Sequence, residues 1–160
     1  MEQQRPSWDE YFFEILAAVS KRATCDRGKS AAVIMRDNQI LTTGYVGAPP
    51  GLPHCDDVGH DLIWVKRGPG QEPTRHCVRT IHAEQNAMLQ AARNGIKLDG
   101  ATIYVTMEPC RTCAMFIISA GIKRVVAGKR YHAAGESRTM FAATGVVLEV
   151  LEDTLMTYAS

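Results

Sequence analysis

Apolar positions recur along this chain with two different periods, and the changes between them mark out the elements. Ser7-Trp8-Asp9-Glu10 reads as a capping box, in which the Ser7 hydroxyl and the Glu10 side chain satisfy free amides at a helix start. Tyr11, Ile15, Leu16, Val19 and Arg22 follow at helical spacing, predicting a helix over 8–21. Residues 31–35 and 40–45 are β-rich runs around Arg36-Asp37-Asn38-Gln39, which predicts a hairpin. From Ile81 the pattern becomes regular: helix 82–93 stopped by Gly95, strand 101–106, helix 110–120 stopped by Gly121, and strand 123–128. A helix over 136–143 and a strand over 146–151 complete the series. Strands alternating with helices predict an α/β sandwich with parallel pairing in its second half.

Residues 47–76 break both periods. Gly47, Pro49, Pro50, Gly51, Pro53, Gly59, Gly68, Pro69, Gly70 and Pro73 make a long irregular segment, with a short helix expected near 61–66. A loop of that length inside a folded domain is uncommon, so something should tie it down.

Composition narrows the function classes. A chain of 160 residues, 46% hydrophobic and 22% charged, suits one globular domain over 1–160. The net charge of +1 is spread without a basic block, which argues against nucleic acid and for a small ligand. Met1 to Pro6 is polar and lacks the apolar core of a signal peptide, and no apolar run is long enough to span a membrane. Five widely spread cysteines, an odd number, fit a reducing compartment such as the cytoplasm, with thiolates on metal rather than in disulfides.

The chemistry lies in His82-Ala83-Glu84 and Pro109-Cys110-Arg111-Thr112-Cys113, 24 residues further on. Cys110 and Cys113 are three apart at a helix start, so both sulfurs leave one face. Pro109 falls just before or at the first helical position, where its missing N–H costs nothing. His82 also falls at a helix start, so two partially positive helix ends would converge on one metal and favour thiolates. One His and two Cys leave a tetrahedral zinc with an open position for water, whose pKa zinc lowers to about 7. Glu84 cannot readily ligate the same ion but can reach that water as a proton shuttle. The order H-x-E…P-C-x-x-C is the zinc-deaminase signature.

With these residues in view, the chain resembles the cytidine deaminase superfamily, and within it the deoxycytidylate (dCMP) deaminases and related late-competence deaminases of bacteria. The resemblance runs from about Ser20 to Val150 through Cys25-Asp26-Arg27, Gly44 to Gly51, His54-Cys55-Asp56-Asp57, His76 to Ala87, Ala120-Gly121-Ile122-Lys123 and Tyr131-His132. It implies a three-layer α-β-α sandwich around a mixed, roughly five-stranded sheet. The implied reaction is hydrolytic deamination of dCMP to dUMP and ammonia. The family also implies a homo-oligomer, a hexamer in many members, activated by dCTP and inhibited by dTTP. Alternatives are deamination of a different or modified cytosine nucleotide, and a non-catalytic zinc-binding protein of the same fold.

Three cysteines lie outside the signature. Cys25, Cys55 and Cys77, with His76, are candidates for a second, structural zinc that orders residues 47–76, with His54 as a substitute ligand. Ordinary buried thiols are the alternative. On the substrate side, backbone groups at Ala83 are candidates for the base edge. Asn86 is a candidate for substrate or for holding a neighbouring loop. Arg27, with Lys29 second, is a candidate for a phosphate. Tyr131 matches a family aromatic that leans over the sugar or base, and equally suits a core position. One departure stands out: relatives carry Asn where this chain has Val46, and a lost contact to a buried hydroxyl is worth about 1 kcal/mol.

Overall fold

The Ser7 amide donates to Glu10 Oε2 at 2.7 Å, and the Glu10 amide donates to Ser7 Oγ at 3.2 Å. This closes the expected capping box and starts α1 (Trp8–Ser20). The fold comes from a computed structural model that describes residues 4–156, so Met1 to Gln3 of the polar N-terminal run lie outside it. The inward stripe of α1 is Phe12 and Leu16, both buried, whereas Tyr11 points largely to solvent. Seven large aromatic and aliphatic residues in the twelve positions 8–19 gave the pattern more than one face to choose from.

β1 (Ala31–Arg36) and β2 (Gln39–Tyr45) form the predicted hairpin. Asp37 and Asn38 turn it with φ of 51° and 60°, the left-handed pair that matches strand twist. α3 (Ala83–Asn94), β5 (Thr102–Met107), α4 (Arg111–Ser119), β6 (Arg124–Tyr131), α5 (Gly135–Thr144) and β7 (Val147–Met156) follow the predicted alternation. The main sheet has five strands in the order β2-β1-β5-β6-β7. β1 is antiparallel to both neighbours, and β5, β6 and β7 are mutually parallel. β6 and β7 outrun their predicted ends because pairing continues past a bulge at Lys129/Arg130 to Tyr131↔Met156, beyond the apolar run that signals a strand.

Alternating side chains divide the core between two faces. Ala31, Val33, Met35, Tyr104 and Val126 meet Phe12 and Leu16 of α1. On the other face Ala32, Ile34, Ile103, Val105, Val125 and Ala127 meet Ala87 and Ala91 of α3, Ala114 and Ile117 of α4, and Phe141 of α5. The result is the expected α-β-α arrangement.

Residues 47–76 hold more regular structure than expected. A four-residue helix, α2 (Cys55–Val58), precedes β3 (Leu62–Val65), which pairs antiparallel with β4 (Thr74–Cys77) in a separate two-stranded sheet. The helix expected near 61–66 is therefore a strand: a four-residue apolar run is too short for its period to decide. The ends of the segment are joined by a bridge, Gly47 N to Ile81 O at 3.3 Å and Ile81 N to Gly47 O at 2.9 Å.

One close approach sets the position of α3. A Cβ on Gly44 would sit 2.4 Å from both Ala83 O and Ala87 N, so β2 presses directly on the first turns of that helix. Gly44→Ala is expected to cost about 1–3 kcal/mol through overpacking. Thermal unfolding should show this as a Tm lower by several degrees; an unchanged Tm would mean that α3 simply shifts.

Candidate active site

The topology gathers one edge of the sheet into a cleft. β5 and β6 both end there, at Met107 and Tyr131, and antiparallel β1 begins there at Ala31 beside Thr106, whose Oγ1 accepts from the Ala31 amide at 2.9 Å. Ligands of open α/β sheets gather at this carboxyl edge. The cleft spans about 720 Å³ of empty space, counting its open mouth.

At its floor two helices begin. His82 is the N-cap of α3 and Cys110 the N-cap of α4, which places Pro109 one residue before the cap rather than at the first helical position. The Gln85 side chain accepts from the His82 amide at 3.2 Å and fixes this start. His82 Nδ1 lies 3.6 Å from Cys110 Sγ and 3.4 Å from Cys113 Sγ. Tetrahedral zinc with its usual bonds to sulfur and nitrogen would separate these atoms by about 3.6 Å. The three side chains fit zinc and leave a fourth position open.

The electrostatics fit as well. A hydrogen bond from Cys113, then one from His82, outweighs burial and holds the Cys110 thiol down at about 3, while Cys113 is pushed up by the same pairing. The hydrogen bond to Cys110 raises His82 against the effect of burial. Thiolate at Cys110 is the form that a bound cation would take. Glu84, 8% exposed on the first turn of α3, is pushed up by burial, with His82 pulling the other way. A carboxyl so placed is suited to carry a proton rather than a fixed charge.

Not every residue singled out from sequence reaches the cleft. Arg27 and Tyr131 line it, with His82, Glu84 and Cys110. Lys29 does not. Ala83 is buried and outside the lining, its carbonyl packed against Gly44. Asn86 donates from Nδ2 to Tyr45 O at 2.8 Å, so it holds the neighbouring strand and does not line the cleft. Val46 lines the cleft with its side chain also packed among Cys25 and Cys55, and its backbone bonds to Ser30 and Thr24. Arg75 also lines the wall and was not evident in sequence, because its place depends on the β3–β4 hairpin. Arg27 Nη2 donates to Arg75 O at 3.0 Å, and the Arg75 guanidinium lies 5.4 Å from the centre of the Trp64 ring.

A second cluster lies beside the first. Its members are Cys25, Cys55, Cys77 and His60, all four ligand atoms falling within 4.8 Å of one another. The expected His76 is not among them. Neighbours in a strand face opposite ways, so Cys77 joins the cluster while His76 turns to Thr74 Oγ1 at 3.1 Å and Arg67 Nη2 at 3.3 Å. His54 is engaged too, with Nδ1 at 2.9 Å from Thr24 Oγ1. His60 takes the place because Gly59, at φ 82°, turns the chain back after α2. The Cys55-x-x-x-x-His60 spacing was the available signal. Cys55 Sγ to Cys77 Sγ is 3.6 Å and Cys25 Sγ to His60 Nδ1 is 3.7 Å, close to the separations of about 3.6–3.8 Å in a tetrahedral zinc site. His60 Nε2 lies 3.0 Å from Asp26, the carboxylate that typically orients a ligating imidazole. Burial, followed by the neighbouring thiols, pushes Cys55 up to about 12.

The chain belongs to the family defined by the cytidine and deoxycytidylate deaminase zinc-binding region, whose model matches residues 6–129. It is 39% identical to ComE operon protein 2 of Bacillus subtilis (strain 168) over 149 residues, covering 93% of this chain and 74% of that protein. It is 42% identical to the deoxycytidylate deaminase of Mycobacterium phage D29 over 124 residues, covering 76% of this chain and 94% of that one. The fold matches the dCMP deaminase of cyanophage S-TIM5 in complex with dCMP and dUMP with a TM-score of 0.73 at 23% identity, over 92% of this chain and 99% of that chain.

Proposed function

We propose that this protein catalyses hydrolytic deamination of dCMP to dUMP and ammonia. The observation that carries the reading is buried Glu84 beside the three-ligand cluster at the floor of a cleft. The deoxycytidylate deaminases among its relatives support the substrate. Zinc held by His82, Cys110 and Cys113 would supply an activated water at its fourth position. Glu84 takes a proton from the attacking water as oxygen adds to C4 and delivers it to N3. It then moves the second proton to the exocyclic amine, which leaves as ammonia while C4 becomes a carbonyl. Burial suits the carboxyl to this shuttle, since it holds a proton more readily than an exposed glutamate.

The phosphate reads onto Arg27 and Arg75, the lining residues with permanent positive charge. Tyr131 lines the cleft, packed beside Cys110 and Cys113. A second reading, a different or modified cytosine nucleotide, is favoured by Val46, which gives the cleft an apolar wall where relatives offer an amide. We also assign a second, structural zinc to Cys25, Cys55, His60 and Cys77, on the fit of the separations and the Asp26 contact to His60. Homo-oligomer assembly and regulation by dCTP and dTTP rest on the family resemblance alone. Among the described residues no helix is long and apolar enough to cross a membrane.

Four outcomes are expected. In an ammonia-release assay over dCMP, CMP, deoxycytidine, dCTP and 5-substituted dCMP analogues, dCMP should turn over best. Glu84→Gln should lose about 10²–10⁴-fold in kcat while keeping its zinc; undiminished turnover would remove Glu84 from the mechanism, and preference for an analogue would favour the second reading. Arg75→Met should raise KM for dCMP by about tenfold or more and leave any turnover of deoxycytidine unaltered, because only the nucleotide offers a phosphate. Metal analysis should find two zincs per chain in the natural protein, one in His60→Ala and two in His76→Ala. Retention of both zincs in His60→Ala would overturn this ligand set.

A further inference from the structure

The cleft wall holds one charged group that the proposed reaction does not use. Glu108 lies two residues before Cys110, is 1% exposed, and lines the cleft. Both of its carboxylate oxygens are engaged: Oε1 accepts from Arg138 Nε at 2.8 Å, and Oε2 accepts from Arg138 Nη2 at 2.5 Å and the Tyr131 amide at 2.9 Å. Arg130 Nη1 stands 3.9 Å from Oε1. Burial alone would push this carboxyl up, but Arg138 and the Tyr131 amide outweigh it and hold it below the usual range.

A buried ion costs free energy unless paired, and apolar residues would pack this corner at least as cheaply. What apolar residues cannot do is hold a backbone amide. The Glu108 amide also donates to Lys129 O at 2.9 Å, so the residue grips β6 through its main chain at 129 and its side chain at 131. That grip falls where β6 leaves the regular ladder at the Lys129/Arg130 bulge. Tyr131 emerges from it 3% exposed, packed on Met107, Cys110, Cys113 and Ala134. With its oxygens consumed by Arg138 and Tyr131, Glu108 acts through its neighbours rather than on a substrate.

We propose that Glu108 is a positioning residue: clamped by Arg138, it fixes the Tyr131 end of β6 against the Cys110 loop, so that the Tyr131 ring forms the wall that receives the nucleotide. This rests on the reading that the cleft binds dCMP. The role predicts an effect on substrate affinity that passes through Tyr131 and leaves the zinc in place.

The test is a double-mutant cycle of Glu108→Ala and Tyr131→Ala, read as KM and kcat for dCMP, zinc content and Tm. Glu108→Ala should raise KM by about tenfold, a larger change than any fall in kcat, with zinc retained. Because the effect runs through one ring, the double variant should bind no worse than the weaker single variant. Glu108→Gln keeps an acceptor for the Tyr131 amide and should restore most of the affinity. Effects on KM that multiply in the double variant, a lowered Tm with KM unmoved, or loss of zinc would each overturn the proposal. If Glu108→Ala does not fold, Arg138→Met replaces it in the same cycle: a KM increase abolished in the Tyr131→Ala background supports the role, and an unmoved KM overturns it. Absence of dCMP turnover in the natural protein would defeat the proposed function and this inference together. Turnover with a KM sensitive to Tyr131→Ala but not to Glu108→Ala would defeat only the inference.

Discussion

Two helix starts must meet at one point for this site to exist, and most of the fold serves that requirement. His82 caps α3 and Cys110 caps α4, so their separation depends on how both helices lie on the sheet. α3 is pressed to within backbone contact of β2 because Gly44 has no side chain, and α4 is fixed by leaving β5 directly through Glu108-Pro109. His82 Nδ1 consequently stands 3.4–3.6 Å from the two sulfurs, the spacing that a tetrahedral zinc requires. The partial positive charge of two helix starts favours thiolate at Cys110.

The four-residue signature was legible in sequence because each member is local to an element start. His82 and Glu84 share one helix turn, Cys110 and Cys113 another, and a cap followed by a periodic apolar run betrays such a turn without tertiary information. The alternation of strands and helices was legible for the same reason. Residues 47–76 were not, since Gly59 and the pairing of β3 with β4 decide where their side chains go. His76 looked like a ligand from adjacency to Cys77, yet strand geometry turns adjacent residues apart. Asn86 was ambiguous until the Tyr45 carbonyl came into reach across 41 residues, a distance no local pattern carries.

Charge is distributed with a purpose that the net value of +1 conceals. Glu108 is neutralised by Arg138 and fixed, so it adds little field to the cleft. At Glu84 burial is the largest influence and raises the proton affinity, with His82 pulling the other way. Two carboxyls lining one cleft are thereby shifted in opposite directions, the pattern expected where one is a scaffold and the other carries a proton. Arg27 and Arg75 also line the cleft, joined by the Arg27 guanidinium donating to the Arg75 carbonyl.

Those arginines show why the inserted segment belongs to the site and is more than a surface decoration. Arg27 stands two residues after Cys25, and Arg75 two residues before Cys77, both members of the second cluster. Val46 packs on Cys25 and Cys55 and also lines the cleft. A cation bound by Cys25, Cys55, His60 and Cys77 would therefore lock three cleft-lining residues at once, from segments far apart in sequence. The apolar Val46 is then explained by its second face: an amide there would have to be satisfied against the sulfurs, and a buried polar group without a partner costs about 1–3 kcal/mol. Polar groups on this part of the cleft lining are accordingly supplied by Arg27 and Arg75, the residues next to the cluster in sequence, rather than by position 46.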